Sequence, residues 1–369
     1  MSESRQPELP HPPRADAPLP TLGQKLLFWL LLGVTSVIFA EVVSFSAPFP
    51  FFDPWGLLVV LPLYTLHLLV LAWVAFRSRR ITFGRLFFAG ALLGMYEAYI
   101  TKVLWHPTWS LAELPWTFGG IYVAHTAILV LFWHPLMAFI LPLVVAEGLF
   151  TSSSETRSLM PKLLRRLAPE RALPLGVALL ALFCGLYQGS NSPAAAASLL
   201  SGAGAALIFY TLSLLWWRRA GKHRYTLRSL LPSRGQGVGL SVLLLALYLI
   251  LGAVIAPEAL PRPPLPHLTV WGIYLLLMGL LRLTRAGQTS HPAKEVSAPP
   301  PPLDKGYLWR WSTLFWMLFP LTSAVATLVK PLTYLIAGAS WLVGIGVGLL
   351  TIARTLLFWR EPRPPGRAV

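Results

Sequence analysis

Charged side chains are scarce in this chain: Asp, Glu, Lys and Arg make up 12% of its 369 residues, against roughly 25% in a soluble globular domain. That shortage excludes a soluble enzyme. Acids are scarcest, 14 Asp plus Glu against 30 Lys plus Arg. Cysteine occurs once, as Cys184 within an apolar run, so an intrachain disulfide is excluded. No Gly-x4-Gly-Lys-Ser/Thr loop occurs, so nothing points to nucleotide hydrolysis within the chain itself. No His, Cys, Asp or Glu spacing is diagnostic of a metal site, and nothing calls for a cofactor.

What is abundant is apolar sequence, 55% of the residues. The 46 residues between Arg171 and Arg218 contain no Asp, Glu, Lys, Arg or His. Pro54 to Phe76 and Pro331 to Ala353 are each 23 residues without Asp, Glu, Lys or Arg. At 1.5 Å per residue such runs cross a ~30 Å hydrocarbon layer. Backbone polar groups in lipid must be paired within their own segment, and the runs are too long and too uniformly apolar for barrel strands. The expected fold is therefore an all-α, polytopic transmembrane helix bundle of ten segments, at about 25–46, 54–76, 84–104, 119–149, 172–190, 194–217, 237–256, 268–284, 308–329 and 331–358.

Orientation follows from the cations, which are retained on the cytoplasmic side. Arg77, Arg79, Arg80 and Arg85 follow the second segment, and Arg157, Lys162, Arg165, Arg166 and Arg171 the fourth. Alternate loops hold only Lys102, Arg262 and Lys330, so 27 of the 30 cations fall on one side. Both termini are then cytoplasmic. The +16 formal charge reads as a topology signal and not as a nucleic-acid surface. The chain divides into a proline-rich cytoplasmic tail (1–22), an eight-span membrane domain (23–285), a proline-rich linker (286–306), a two-span hairpin (307–358) and a basic tail (359–369). The bilayer is the expected partner, with a small molecule or an ion as substrate; the sequence does not set the oligomeric state.

An ionisable residue near the bilayer centre costs ~2.5–3.5 kcal/mol on insertion scales, so each one inside a segment is a functional candidate. Acids and histidines in the apolar centres are confined to the first four segments: Glu41, His67, Glu97, and then His125, His134 and Glu147. With the topology above, Glu41, Glu97 and His125 share the outer half, His134 and His67 lie midway, and Glu147 lies near the cytoplasm. Such a ladder can relay protons, since histidine titrates near neutral pH. Thr101 shares a helix face with Glu97, four residues away, whereas Lys102 lies about 140° round the helix and is free to snorkel outward. Tyr96, Tyr99, Trp105 and Trp109 read as an outer aromatic belt. Asp53, in a loop rich in phenylalanine, can reach the same side as Glu41 and Glu97. Pro135 and Pro142 free the Leu131 and Ala138 carbonyls for a ligand, an ion or a neighbouring hydroxyl. Glycines in 202–206 and 344–348 permit close helix packing.

The third and fourth segments resemble a family of uncharacterised prokaryotic multi-pass membrane proteins. The resemblance rests on Glu97 with Lys102, Pro107 with Trp109, and His134 with Pro142 and Glu147. It implies a prokaryotic plasma or inner membrane and brings no activity. A more distant similarity is to the CAAX-protease and bacteriocin-processing family, whose Glu-Glu-x3-Arg and Phe-x3-His motifs activate water. Here Tyr96 stands for the first Glu, and Thr101 stands where the Arg would be. The leading expectation is a secondary transporter or ion-coupled permease using Glu97, His134 and His125 with Glu41, Asp53, His67, Thr101, Lys102 and Glu147. The alternatives are an intramembrane or outer-face hydrolase with Glu97 as general base, and a non-catalytic assembly or lipid-binding subunit.

Overall fold

The structure, a computed structural model, describes residues 19–78, 81–107, 116–156, 159, 169–220, 225–286 and 305–360. The expected tail up to residue 18, the linker across 287–304 and the C-terminal residues 361–369 lie outside the described residues. So do Arg79, Arg80, Trp109, Arg157, Lys162, Arg165, Arg166, Lys222 and Arg224.

Helix α1, Leu22–Val37, opens on a capping box in which the Thr21 hydroxyl accepts from Gln24 N–H and the Gln24 side chain accepts from Thr21 N–H at 2.9 Å. It continues into a widened π-helical turn, Ile38–Val42, where Val43 N–H donates to the Ile38 carbonyl five residues back. A second widened turn, Gly56–Val60, leads into α2, Leu61–Phe76. Asp53 Oδ1 accepts from Gly56 N–H at 2.7 Å and so caps the start of this segment. Two guanidinium groups hold its other end. Arg85, fully buried, donates to the Ala75 and Val74 carbonyls at 2.5 and 2.7 Å. Arg228 donates to the Phe76 and Ser78 carbonyls at 2.5 and 3.0 Å. Cations at a helix C-terminus satisfy carbonyls the helix cannot pair itself.

The third segment is not the uninterrupted helix expected over 84–104. Helix α3, Phe83–Gly94, stops at Met95, and one further turn, α4, Tyr96–Tyr99, follows. The Tyr274 hydroxyl donates to the Met95 carbonyl at 3.0 Å. Lys102, at φ +61°, then turns the chain back, and its carbonyl accepts from Trp105 and His106 N–H at 3.0 and 2.8 Å. The fourth segment also begins later than Gly119. Gly119 and Gly120, at φ +56° and +79°, make the two-residue turn of a small hairpin pairing β1, Thr117–Phe118, with β2, Ile121–Tyr122. Both turn residues need positive φ, which glycine adopts without strain. The helix then runs 28 residues from Val123 to Phe150: α5, Val123–Ile128; a π-helical stretch, Leu129–Ile140; and α6, Leu141–Phe150.

The remaining helices are α7, Pro169–Asn191; α8, Ala195–Ala220; the short α9, Leu227–Leu230; α10, Arg234–Val254; α11, Pro264–Ala286; α12, Lys305–Ala326; and α13, Lys330–Arg360. Among the described residues, eight continuous helical stretches are long and apolar enough to cross a membrane. The last of them, 52 residues from Gly306 to Leu357, contains both α12 and α13 across a 3-10 turn at Thr327–Val329. The broken third segment is too short to join that set. Leucines and valines on the outward faces of α8, α10, α11 and α13 remain exposed, as in Val242, Leu249, Leu275 and Leu342, which suits contact with lipid.

Packing between helices depends on small residues, because lipid tails are as apolar as leucine and offer no hydrophobic drive for association. A Cβ at Gly90 would lie 2.6 Å from Pro135 Cα, so only glycine lets α3 meet the fourth helix there. Gly202 abuts Pro320, Gly204 Phe52, and Gly344 and Gly348 abut Phe132 and Leu131, the packing role expected of them, whereas Gly346 meets nothing within 4 Å.

Candidate functional site

Glu41 stands in the widened turn that ends the first segment, Glu97 in α4 just after the break in the third, and His134 in the π-helical stretch of the fourth. Such wide turns recur at functional sites because they redirect side chains and leave backbone groups unpaired. Here two of them, together with the break after Gly94, bring three ionisable groups together. His134 Nε2 is 3.5 Å from Glu97 Oε1. Tyr64 joins the second carboxylate: its hydroxyl donates to Glu41 Oε1 at 2.5 Å and lies 2.8 Å from the Tyr96 hydroxyl and 3.4 Å from His134 Nε2. The Tyr96 hydroxyl is itself 3.3 Å from His134 Nε2. At the ends, the Thr101 hydroxyl donates to Glu97 Oε2 and the Ser46 hydroxyl to Glu41 Oε2.

The histidine tautomers follow from their partners. His134 Nδ1 lies 3.1 Å from the Leu129 carbonyl and His67 Nδ1 2.8 Å from the Leu63 carbonyl. A carbonyl only accepts, so both Nδ1 atoms carry hydrogen. In a neutral ring, Nε2 is then an acceptor. His67 Nε2 faces the Tyr248 hydroxyl at 2.9 Å, and its ring lies 5.6 Å from that of Tyr96. His134 Nε2 faces two hydroxyls and a carboxylate. A single proton between His134 and Glu97 therefore has two resting places, as carboxylic acid beside imidazole or as carboxylate beside imidazolium.

The other expected residues sit elsewhere. His125 is buried in the first turn of α5 with the Tyr122 ring edge-on at 5.9 Å. It precedes His134 by nine residues, about two turns along the same helix. Glu147 is tied into the segment after α6, its Oε2 accepting from the backbone N–H of Thr156 at 2.8 Å and from the Thr156 hydroxyl. Asp53 is a helix cap. Lys102 does not snorkel outward: it is fully buried. Its ammonium donates to the Ile100 and Gly252 carbonyls at 3.1 and 2.7 Å and to that of Ile255, closing the C-terminus of α10. The Ala138 carbonyl freed by Pro142 is taken by the Ser36 hydroxyl at 2.6 Å. Among the described residues no group of three or more His, Cys, Asp or Glu is arranged to hold a metal.

Tyrosines are what the sequence reading missed. Tyr96, read there as part of an aromatic belt, is 3% exposed and at the centre of the cluster, and Tyr64 and Tyr248 were not singled out at all. Tyr99 and Trp105 do pack together, ring centroids 5.1 Å apart, around His267. The signal that was present is Gly90-x3-Gly94, a small-residue spacing that marks the face of α3 pressed onto Pro135 and His134.

Over residues 30–364 the chain matches a family described as an uncharacterized membrane protein family. A protein of Archaeoglobus fulgidus, named "Uncharacterized protein", is 46% identical over 171 residues, which are 46% of this chain and 52% of that relative. The chain thus aligns with about half the length of the curated relative it matches. No solved structure matches. A match across most of the chain, several apolar helices of membrane-crossing length and a kindred protein in an archaeon agree: this is a multi-pass member of that membrane protein family, built as a helix bundle.

Proposed function

We propose that the protein is a proton-coupled permease of a prokaryotic cell membrane, with ten segments, both termini cytoplasmic, and Glu41, Glu97 and His134 as its proton-binding unit. One observation carries the reading: these three residues meet where three helices are each interrupted, linked through Tyr64 and Tyr96. Transporters use discontinuous helices in this way, because an interruption frees backbone and redirects side chains around a site that is exposed to each side in turn. Transfer of the proton between Glu97 and His134 needs only a small displacement. Loading or unloading that proton changes the charge of a buried group, which biases the packing of α1, α3 and the fourth helix. In proteoliposomes, Glu97→Gln and His134→Ala should each abolish uptake driven by a pH gradient while thermal melting stays near wild type. Persistent uptake in both variants would sink the proposal.

The hydrolase reading has one observation in its favour. Glu147 is engaged with Thr156, so Glu41, Glu97 and His134 form a local cluster that does not continue to Glu147. In that reading Glu97 withdraws a proton from water and His134 returns it to the leaving group. Purified protein that hydrolyses a lipid or peptide only when Glu97 is present, and transports nothing, would favour it over the permease.

A further inference from the structure

At the end of the bundle where α7 turns into α8, three buried oxygens have no hydrogen-bond partner among the described residues: Gln188 Oε1, Ser198 Oγ and Ser323 Oγ. Each of the three residues is fully buried. Leaving such a group unpaired costs ~1–3 kcal/mol. The amide of Gln188 is oriented without ambiguity. Its Nε2 donates to the Val42 carbonyl at 2.9 Å and to Ser201 Oγ at 3.2 Å, and Ser201 in turn donates to the Pro48 carbonyl at 2.7 Å. Both donor positions are spent, and Oε1 points the other way with two lone pairs.

Packing brings the three to one level. Gly185 of α7 lies against Phe319 and Thr322 of α12, and Gly189 against Ser323 and Ala326, so α7 and α12 run in the same direction. A short turn reverses the chain into α8, which therefore runs opposite to α12. From the Gly202–Pro320 contact, one turn toward the same end reaches Ser198 on α8 and Ser323 on α12. Ser198 is also one turn from Ser201, which Gln188 already touches.

The two hydroxyls are unusual for this chain. Most other buried or half-buried serine and threonine hydroxyls in the helices bond back to their own helix, as Thr35 to Leu31 at 2.7 Å, Ser213 to Phe209 at 2.6 Å and Ser340 to Ala337 at 2.6 Å, while Ser36 and Ser201 donate instead to the Ala138 and Pro48 carbonyls. Ser198 and Ser323 make neither kind of bond. We infer that Gln188, Ser198 and Ser323 form a binding site for one small electropositive guest, a water molecule or a sodium ion, held between α7, α8 and α12. Its chemistry is all oxygen and uncharged: an amide oxygen that accepts from a water, and two hydroxyls that donate to the water's lone pairs or turn their own lone pairs to a cation. A buried water typically makes about three hydrogen bonds, which this set supplies. Through Gln188 the guest is connected to the Val42 carbonyl, in the same widened turn that carries Glu41. The inference stands whether or not the permease reading does.

The sign of a stability change decides it. An unfilled set of orphaned oxygens is relieved by removing one, so Ser198→Ala and Ser323→Ala would then raise or leave the melting midpoint. A filled site is damaged, and each variant should lower the midpoint of the full-length protein by roughly 2 °C or more. Adding Gln188→Leu should then cost little beyond the larger single loss, because all three serve one guest. Melting in sodium chloride against choline chloride at equal ionic strength separates the two guests. A midpoint that rises with sodium in the wild type and not in Ser198→Ala assigns sodium; losses independent of sodium assign water. Midpoints raised or unchanged in both serine variants overturn the site.

Discussion

Gly94 and His134 stand back to back: a Cβ at Gly94 would lie 3.1 Å from His134 Cβ and 3.2 Å from its Nδ1. That edge of the imidazole holds the bond to the Leu129 carbonyl, and the opposite edge faces Glu97. The glycine therefore sets where the ring sits. Gly94→Ala should shift the ring by a few tenths of an ångström and lower pH-driven uptake several-fold with a modest loss of stability. Gly338→Ala, whose new Cβ meets nothing within 4 Å, should leave uptake unchanged. Equal uptake in the two variants would show that ring position does not matter.

Tyr64 is the only hydroxyl bonded to Glu41 that also reaches Tyr96 and His134 among the described residues. Tyr64→Phe keeps the ring and removes the link. Uptake should fall toward that of Glu41→Gln, and the double variant should be no worse than the single ones, as expected for members of one network. Tyr187→Phe, which loses only the bond from Trp341 Nε1 at 2.8 Å, serves as the comparison: stability drops by about 1 kcal/mol and uptake persists.

Glu147 separates a relay across the membrane from a local cluster. Its carboxylate accepts the Thr156 N–H, so Glu147→Ala should cost ~1–3 kcal/mol by orphaning that donor. Proton-driven uptake, measured at a temperature where the variant is folded, should survive. Its loss would return Glu147 to the proton path.

Lys102 joins two strained backbones. It adopts φ +61°, the loop it holds passes through Ala256 at φ +41°, and its ammonium binds the carbonyls of Gly252 and Ile255. Lys102→Met leaves these acceptors buried without a donor. A loss of about 2–4 kcal/mol is expected, since bonds to a charged group exceed neutral ones. Hydrogen exchange should rise first at the last turn of α10. Uniform exchange along α10 would mean that the lysine is not its clasp.

Orientation can be read with the single native thiol left in place, because Cys184 is fully buried. Cysteine at Asn191 or Pro264 should react with a membrane-impermeant maleimide added outside cells, and cysteine at Arg77 or Thr226 only after lysis. External labelling at Thr226 would invert the topology.

The helical class of the fold was legible because long runs without charge have a single solution in lipid, and Glu41, Glu97 and His134 stood out as rare ionisable groups within them. Helix interruptions were not legible. Nothing in Leu92-Leu93-Gly94-Met95-Tyr96 announces a break, since no proline is present and glycine is common in membrane helices. At the stop the Met95 carbonyl accepts from Tyr274, 178 residues after Tyr96 in the chain, a partner that no local pattern shows. Tyr64 and Tyr96 were hidden for another reason: tyrosine is enriched at membrane interfaces, so its type alone does not separate a buried proton link from a headgroup anchor. Lys102 illustrates the same limit, because a lysine near a helix end can reach water as readily as a distant carbonyl.

The π-helical stretch from Leu129 to Ile140 also changes how mutational data on this protein must be plotted. An α-helix turns about 100° per residue, whereas five-residue hydrogen bonding turns the chain by less at each step. A helical wheel drawn continuously from His125 to Glu147 therefore assigns the later residues to the wrong side. A tryptophan scan along Val123–Phe150 should show sensitivity recurring with one phase up to Ile128 and resuming after Leu141 with another. The phase slip measures, from function alone, how much extra length the wide turns have stored.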